Sequence, residues 1–154
     1  MWTDAAGASK GLAAVLWFEG RFYFTAAKTP DHVWTQFIPR GDNQIGCQEM
    51  LAVVLGLCTF ADLIRDSLLL CFDDNDGVRV AIQKGGNHCP EVTHLVHHHW
   101  WSCAVMQVAW YTARVESHAN VADAPSRGKY EPMYALQASP RPPYWPEWAL
   151  HLWR

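Results

Sequence analysis

The chain predicts an α/β fold: a mixed five-stranded sheet, three antiparallel strands followed by two parallel additions, flanked by helices. Three observations carry this. Gly11–Phe18 and Arg21–Ala27 are rich in aromatic and aliphatic residues, and the Glu19-Gly20 step between them has the chemistry of a tight hairpin turn. From Ile45 to about Ile64 apolar residues recur at helical spacing. The apolar run Ser67–Phe72 and the alternating segment Gln107–Val115 are separated by segments of helical character, the arrangement from which parallel strands are built. With 154 residues, half of them apolar and 18% charged, one globular core accommodates these elements.

The first strand is short, because Met1–Ala6 reaches Asp4 almost at once, as expected where a domain boundary has been trimmed. The hairpin follows. Thr29–Gln44 carries Pro30, Pro39, Gly41 and Asn43 and is expected to be mostly loop, pinned to the core by Trp34 and Phe37. The next helix belongs in the core, since Glu49 is the one carboxylate in its first four turns. Ser67–Phe72 is short enough for a buried strand and stops at Asp73-Asp74-Asn75-Asp76-Gly77. Val78–Lys84 then reads as a short helix closed by Gly85-Gly86, and Glu91 to about Cys103 as a second, histidine-laden one. Gln107–Val115 alternates as a strand, and Ser117–Asp123 turns into a final helix at the Asp-Ala-Pro-Ser step. The order is βββαβααβα, with residues 1–128 forming the domain. Residues 129–154, rich in proline and tryptophan, are expected to dock on it as a strap or to link it to a further region.

Bulk properties narrow the function classes. No apolar run approaches the roughly 20 residues of a membrane span, and no basic-then-apolar leader opens the chain, so a soluble, unsecreted protein with no membrane partner is expected. Cys47, Cys58, Cys71, Cys89 and Cys103 form an odd set without a CxxC pair, which fits a reducing compartment better than a disulfide scaffold. The formal net charge of −3 argues mildly against nucleic acid. A site that chelates divalent cations must nevertheless concentrate carboxylates, and the cations return positive charge to the substrate-facing surface.

Four carboxylates stand at the edges of apolar elements: Asp4 in the first strand, Glu49 on the core helix, Asp74 after the fourth strand and Asp123 before the last helix. Burying an isolated carboxylate costs several kcal/mol unless it is paired, hydrogen-bonded or metal-bound. Few lysines or arginines lie near these four in sequence, whereas hard divalent cations take oxygen ligands. Parallel first and fourth strands can be neighbours, and ligands collect where their C-terminal ends open, so one cluster at the sheet's end is expected.

These pieces carry a family resemblance. Thr3-Asp4-Ala5-Ala6-Gly7 ahead of a hairpin, Gln48-Glu49-Met50-Leu51-Ala52 on a helix, and Phe72-Asp73-Asp74-Asn75 running into Gln83-Lys84-Gly85 resemble the ribonuclease H domains of retroelement reverse transcriptases. The stretch Arg114 to Gly128, with Asp123-Ala124-Pro125-Ser126-Arg127, is similar to the segment in which that family carries its last catalytic aspartate. The resemblance spans about residues 1–128. It implies a ribonuclease H-like fold and an endonuclease that hydrolyses the RNA strand of RNA–DNA hybrids. It implies that Asp4 bridges two Mg²⁺ ions, for which Mn²⁺ can substitute, with Glu49 and Asp74 completing one site and Asp123 the other. In such a pair one ion generates a hydroxide-like nucleophile and the other stabilises the departing 3′-oxygen. Gly7, Asn43, Gln44 and Asn75 are the candidates for contacting 2′-hydroxyls in the shallow minor groove. The polymerase domain of a larger polyprotein is an expected partner, and the cytoplasm or a replication complex or particle the expected location.

Plainer roles compete. Asp74, Asn75 or Asp76 can cap the following helix, Asp73 is a rival ligand, and Asp123 can cap ahead of Pro125. Asp4 and Glu49 have no such inexpensive structural role. His88, Cys89, His94, His97, His98, His99 and Cys103 crowd one region, yet their spacing matches no zinc motif, and a solvated or nucleic-acid-facing histidine face is expected. His118, in the loop before Asp123, is a candidate proton shuttle. Packing accounts for most of the nine tryptophans, leaving Trp34 and Trp101 as candidates for base stacking. Two other functions stay open: a non-catalytic ribonuclease H-like binding or structural module, and a DNA-cutting nuclease of the same fold. Presence of all four carboxylates favours the enzyme. A transposase would usually carry its Glu on a late helix, and a proofreading exonuclease would need a second acid where Ala6 stands.

Overall fold

The hairpin forms where its alternation places it. In the computed structural model, which describes residues 1–42 and 44–150, β2 (Gly11–Phe18) and β3 (Arg21–Lys28) pair antiparallel through a turn in which Glu19 and Gly20 both take positive φ. The first strand, β1 (Trp2–Ala6), pairs antiparallel with β2 on one side and parallel with β4 (Leu68–Asp73) on the other. β5 (Ala109–Arg114) adds parallel to β4. The expected five strands become six, because Ser139–Pro140 (β6) pairs parallel with the outer edge of β3, giving the order β5-β4-β1-β2-β3-β6. Tyr23 and Phe24 offer an unpaired ladder there, and the Pro-rich segment takes it up, with Arg141 N–H donating to the Phe24 carbonyl. The strap is thus partly a strand.

Between the strands the helices are more divided than their periodicity suggests. The segment expected to be mostly loop holds one helical turn, α1 (Asp31–Trp34), and Phe37 is buried as expected. The core helix is α2 (Ile45–Thr59), and Phe60 ends it before a separate turn, α3 (Ala61–Ile64), begins. α4 (Asp76–Lys84) starts earlier than expected because the Asn75 side chain accepts from Val78 N–H and caps it, and Gly85 closes it at φ 80°. α5 (Pro90–Met106) opens with proline in its first turn and ends at Gln107, which is left-handed at φ 55°. The last expected helix is only one turn, α6 (Asp123–Ser126), and it is followed by α7 (Glu131–Ala135) and α8 (Glu147–Leu150).

One face of the sheet buries Ala5, Leu12, Ala14 and Leu16 under α2, with α4 and α5 packed behind. The other face buries Ala13, Val15 and Phe24 under Ala122 and Met133, so α6, α7 and the strap cover β1 to β3 from the opposite side. The sheet is a filling between two unequal layers. Among the described residues no helix is long and apolar enough to cross a membrane.

Candidate active site

Register brings the first two acids together. Trp2 pairs with Phe72 across the parallel β1–β4 ladder, so two residues further on position 4, in the middle of β1, stands beside position 74, just past the C-terminal end of β4. The intervening pair fixes that alignment: Thr3 Oγ1 donates to Asp73 Oδ2 at 3.1 Å, and Asn75 N–H donates to Asp73 Oδ1 at 2.7 Å. Asp73, the rival ligand, therefore has both oxygens engaged in holding the strand end. The capping role falls to Asn75, which frees Asp74 from it.

Glu49 reaches the same point from α2. That helix lies unusually close to the sheet: a Cβ on Gly56 would stand 2.7 Å from Ala14 Cβ and 2.8 Å from Met1 Sδ, so only glycine permits the approach. Glu49 is 5% exposed, and its Oε2 is buried without a hydrogen-bond partner among the described residues. Asp4, Glu49 and Asp74 each offer an oxygen, and these oxygens lie within 4.8 Å of one another.

The turn α6 completes the surroundings. A Cβ on Gly11 would fall 1.8 Å from the Ser126 carbonyl oxygen, so this turn rests directly on the start of β2. There Ser126 Oγ donates to Asp4 Oδ2 at 2.5 Å, and Asn120 Nδ2 donates to the Thr3 carbonyl at 2.9 Å and more weakly to Asp74 Oδ1 at 3.5 Å. Asp123 stands outside the trio of mutually close oxygens. Its carboxylate accepts from Arg127 Nε at 2.8 Å and is 43% exposed, although it is close enough to act on Asp4 through its charge. Three of the expected four carboxylates thus converge and the fourth borders them.

Electrostatically the cluster is compensated only from a distance, by the charge of Arg127. Burial, together with the charges of Asp73, Asp4 and Asp74, pushes Glu49 up to about 10, against a weaker opposing effect from the Ala5 backbone N–H. Burial likewise raises Asp4 to about 6, despite the hydroxyl of Ser126, and Asp73 to about 7, despite its two hydrogen bonds. A cation among these oxygens would relieve all three shifts and give Glu49 Oε2 a partner. The donor set is all oxygen, which suits a hard ion such as Mg²⁺ or Mn²⁺.

The remaining candidates divide. Gly7 sits in the one-turn 3₁₀ helix after β1, where its carbonyl accepts from Gln48 Nε2 at 3.3 Å. Gln44 and Asn75 line a hollow of about 220 Å³ beside the cluster, together with Cys47, His88 and Cys89. Asn43 lies outside the described residues. His118 is exposed in a 3₁₀ turn, Ser117–Ala119, and lines a second hollow with Asn120 and Asp123. The histidine-rich helix gathers no zinc set of its own among the described residues. His99 is fully buried edge-on to Trp110 at 4.4 Å, its pKa lowered by burial to about 3, while His94 and His98 pack ring to ring at 4.6 Å. Trp34 carries Lys10 over its ring at 4.8 Å, and Trp101 is 69% exposed.

Ser126 and Asn120 are not site residues in the sequence reading, although Ser126 stands in the Pro-Ser-Arg stretch close to Asp123, and Asp73, there a rival ligand, instead holds the strand end. Comparison with protein-family models, curated proteins and solved structures returns no match to this chain.

Proposed function

We propose that the chain is a metal-dependent endonuclease of the ribonuclease H type, acting on the RNA strand of RNA–DNA hybrids as part of a reverse-transcribing element. The observation that carries this reading is the convergence of Asp4, Glu49 and Asp74 with the Glu49 Oε2 buried and unpartnered. A purely structural cluster of acids would be expected to recruit arginine or lysine directly, whereas among the described residues the trio makes no ion pair and Arg127, bonded to Asp123, acts on Asp4 and Asp74 only through space. The strand order supports a ribonuclease H-like fold: three antiparallel strands, then two parallel ones added beyond β1.

In this reading Asp4, Glu49 and Asp74 hold the ions, and Asp123 contributes from the border once Arg127 yields. When bound, such ions supply Lewis acidity and an acidified water for in-line displacement at a phosphodiester. Ser126 keeps the Asp4 carboxylate oriented, and Asn120 does the same for Asp74. His118, exposed beside Asp123, is placed to pass a proton to or from solvent near the leaving 3′-oxygen. Gly7, Gln44 and Asn75 approach the 2′-hydroxyls. Because Asn75 Oδ1 serves the cap of α4, its Nδ2 is the atom offered to substrate.

Cleavage of a labelled RNA–DNA hybrid, beside matched RNA and DNA duplexes, tests this. Cutting is expected with Mg²⁺ or Mn²⁺ and not with chelator, and Asp74→Asn is expected to lower the rate by on the order of 10²-fold or more, the scale of losing one group that stabilises transition-state charge. Equal cutting by parent and variant would remove Asp74 from the site. Cutting of duplex DNA alone would select the DNA-cutting alternative, and binding of hybrid without cutting the non-catalytic one.

A further inference from the structure

A second cluster of ligating side chains lies apart from the carboxylates and has a different chemistry. Cys47, on the first turn of α2, and Cys89, at the N-cap of α5, place their sulfurs 3.8 Å apart. Cys89 Sγ is 3.1 Å from Glu91 Oε2, and all three residues are buried. We propose that Cys47, Cys89 and Glu91 form a site for a soft divalent cation of the Zn²⁺ class, closed by water or His88 from the adjoining hollow.

The geometry is close to what such an ion needs. Tetrahedral bonds of about 2.3 Å to sulfur put two thiolates about 3.8 Å apart, and a third bond of about 2.1 Å to oxygen puts that oxygen about 3.6 Å from each sulfur. The sulfur pair already has this spacing, the carboxylate oxygen is about half an ångström nearer Cys89 than such a bond set requires, and it lies within 4.8 Å of Cys47 Sγ. Its orientation is already set by neighbouring donors. Ile38 N–H donates to Glu91 Oε1 at 2.7 Å, and Arg40 donates through Nη2 to Oε2 at 3.0 Å and through Nη1 to Cys47 Sγ at 3.5 Å.

Charge balances too. Coordination exchanges the two S–H bonds for S–metal bonds and releases both protons to solvent, leaving two thiolates, one carboxylate and a 2+ ion. The net charge of that set is −1, and the Arg40 guanidinium already stands against it. A polar anchor for the loop before α2 would account for Arg40, Glu91 and the Ile38 N–H, but not for two sulfurs stacked against them where aliphatic side chains would pack as well. Thiolates select against Mg²⁺, so this site and the carboxylates would not compete for one ion. His88 lines the same hollow and is exposed beside Cys89, where a fourth ligand can enter.

The test uses Co²⁺ as a spectroscopic stand-in on the full chain, followed by Zn²⁺. One equivalent of Co²⁺ is expected to give a thiolate-to-cobalt charge-transfer band that one equivalent of Zn²⁺ abolishes. Cys47→Ser and Cys89→Ser should lose the band, Asp74→Asn should keep it, and Arg40→Gln should weaken affinity by roughly 10- to 100-fold. Should the serine variants fail to fold, alkylation of the parent chain in denaturant just below its unfolding transition, where the buried thiols become reachable, decides: Zn²⁺ is expected to slow labelling of Cys47 and Cys89 relative to metal-free protein more than that of Cys58. Absence of the band from the parent chain, or its survival in both serine variants, overturns the proposal, as does Zn²⁺ that leaves Cys47 and Cys89 unprotected.

Discussion

Glu49 and Glu91 are both buried glutamates on helices packed against the same face of the sheet, and their surroundings are opposite. Glu91 has the Ile38 N–H, the Cys89 thiol and Arg40 around it, which overcome burial and hold its pKa down at about 2. Glu49 has three other acids for neighbours, and burial with their repulsion drives it up to about 10. The first is an ion the protein has neutralised by itself. The second is a charge without such a balance, so a cation at Glu91 would have to bind with Arg40 already in place, whereas one at Glu49 would meet only other acids.

Breaking the Glu91 arrangement should have the largest effect on stability. Arg40→Met leaves a buried carboxylate short of its cation, and because Arg40 is itself 30% exposed the loss should fall somewhat below that of a fully buried pair, at about 2–3 kcal/mol. Urea denaturation at neutral pH in chelator measures it. The corresponding Glu49→Gln should not destabilise metal-free protein.

Titration sharpens the contrast. An unfolded glutamate ionises near 4.5, so folded, metal-free Glu49 keeps a proton that the unfolded chain has lost between that value and about 10. Asp4 and Asp73 do the same between 3.8 and about 6 or 7. Each such proton lowers stability as pH rises, by about 1.4 kcal/mol per pH unit. Glu91 has the reverse sign, since its contribution is complete above 4.5 and disappears as pH falls toward about 2. Melting curves in chelator from pH 5 to 8 should therefore show declining stability that Mg²⁺ offsets and Glu49→Gln flattens. The same decline in parent and variant would mean that Glu49 is not the group responsible.

The smallest effect should come from Ser126→Ala. Removing the hydroxyl that donates to Asp4 costs about 1 kcal/mol, and it takes away the main influence holding that carboxyl down against burial and the charges of Asp74 and Asp123. The acid limb of the cleavage–pH profile should move to higher pH, while neutral-pH activity with ample Mg²⁺ changes little. An unmoved limb would mean that the Ser126 hydroxyl does not govern Asp4.

How far the site could be read in advance depended on the kind of signal. Asp4, Glu49 and Asp74 were legible because each interrupts an apolar element, and a carboxylate in such a place has few structural uses. The hairpin and α2 were legible by periodicity for the same reason. Asp73 was harder: it neighbours Asp74, and only the register that puts Thr3 opposite it decides which of the two is spent on the strand end. Asp123 was expected to join the trio, but an arginine four residues on in a one-turn helix competes for it, a contact that spacing alone does not rank. The sixth strand was illegible because Ser139–Pro140 has no strand composition and pairs only because β3 leaves an edge open. The soft-ligand cluster is not legible in the sequence because Cys47 lies 42 residues from Cys89, on a different element, while several histidines stand far closer to Cys89 in the chain.

Gly11 has no functional group, yet its missing side chain lets the Ser126 turn settle flat on the hairpin. Any larger residue there would wedge that turn outward, lifting the hydroxyl away from Asp4 and carrying Asp123 with it. A position with no chemistry of its own thereby sets the clearance on which the acidic centre depends, and enlarging it would pull that centre apart while every acidic side chain remained in the chain.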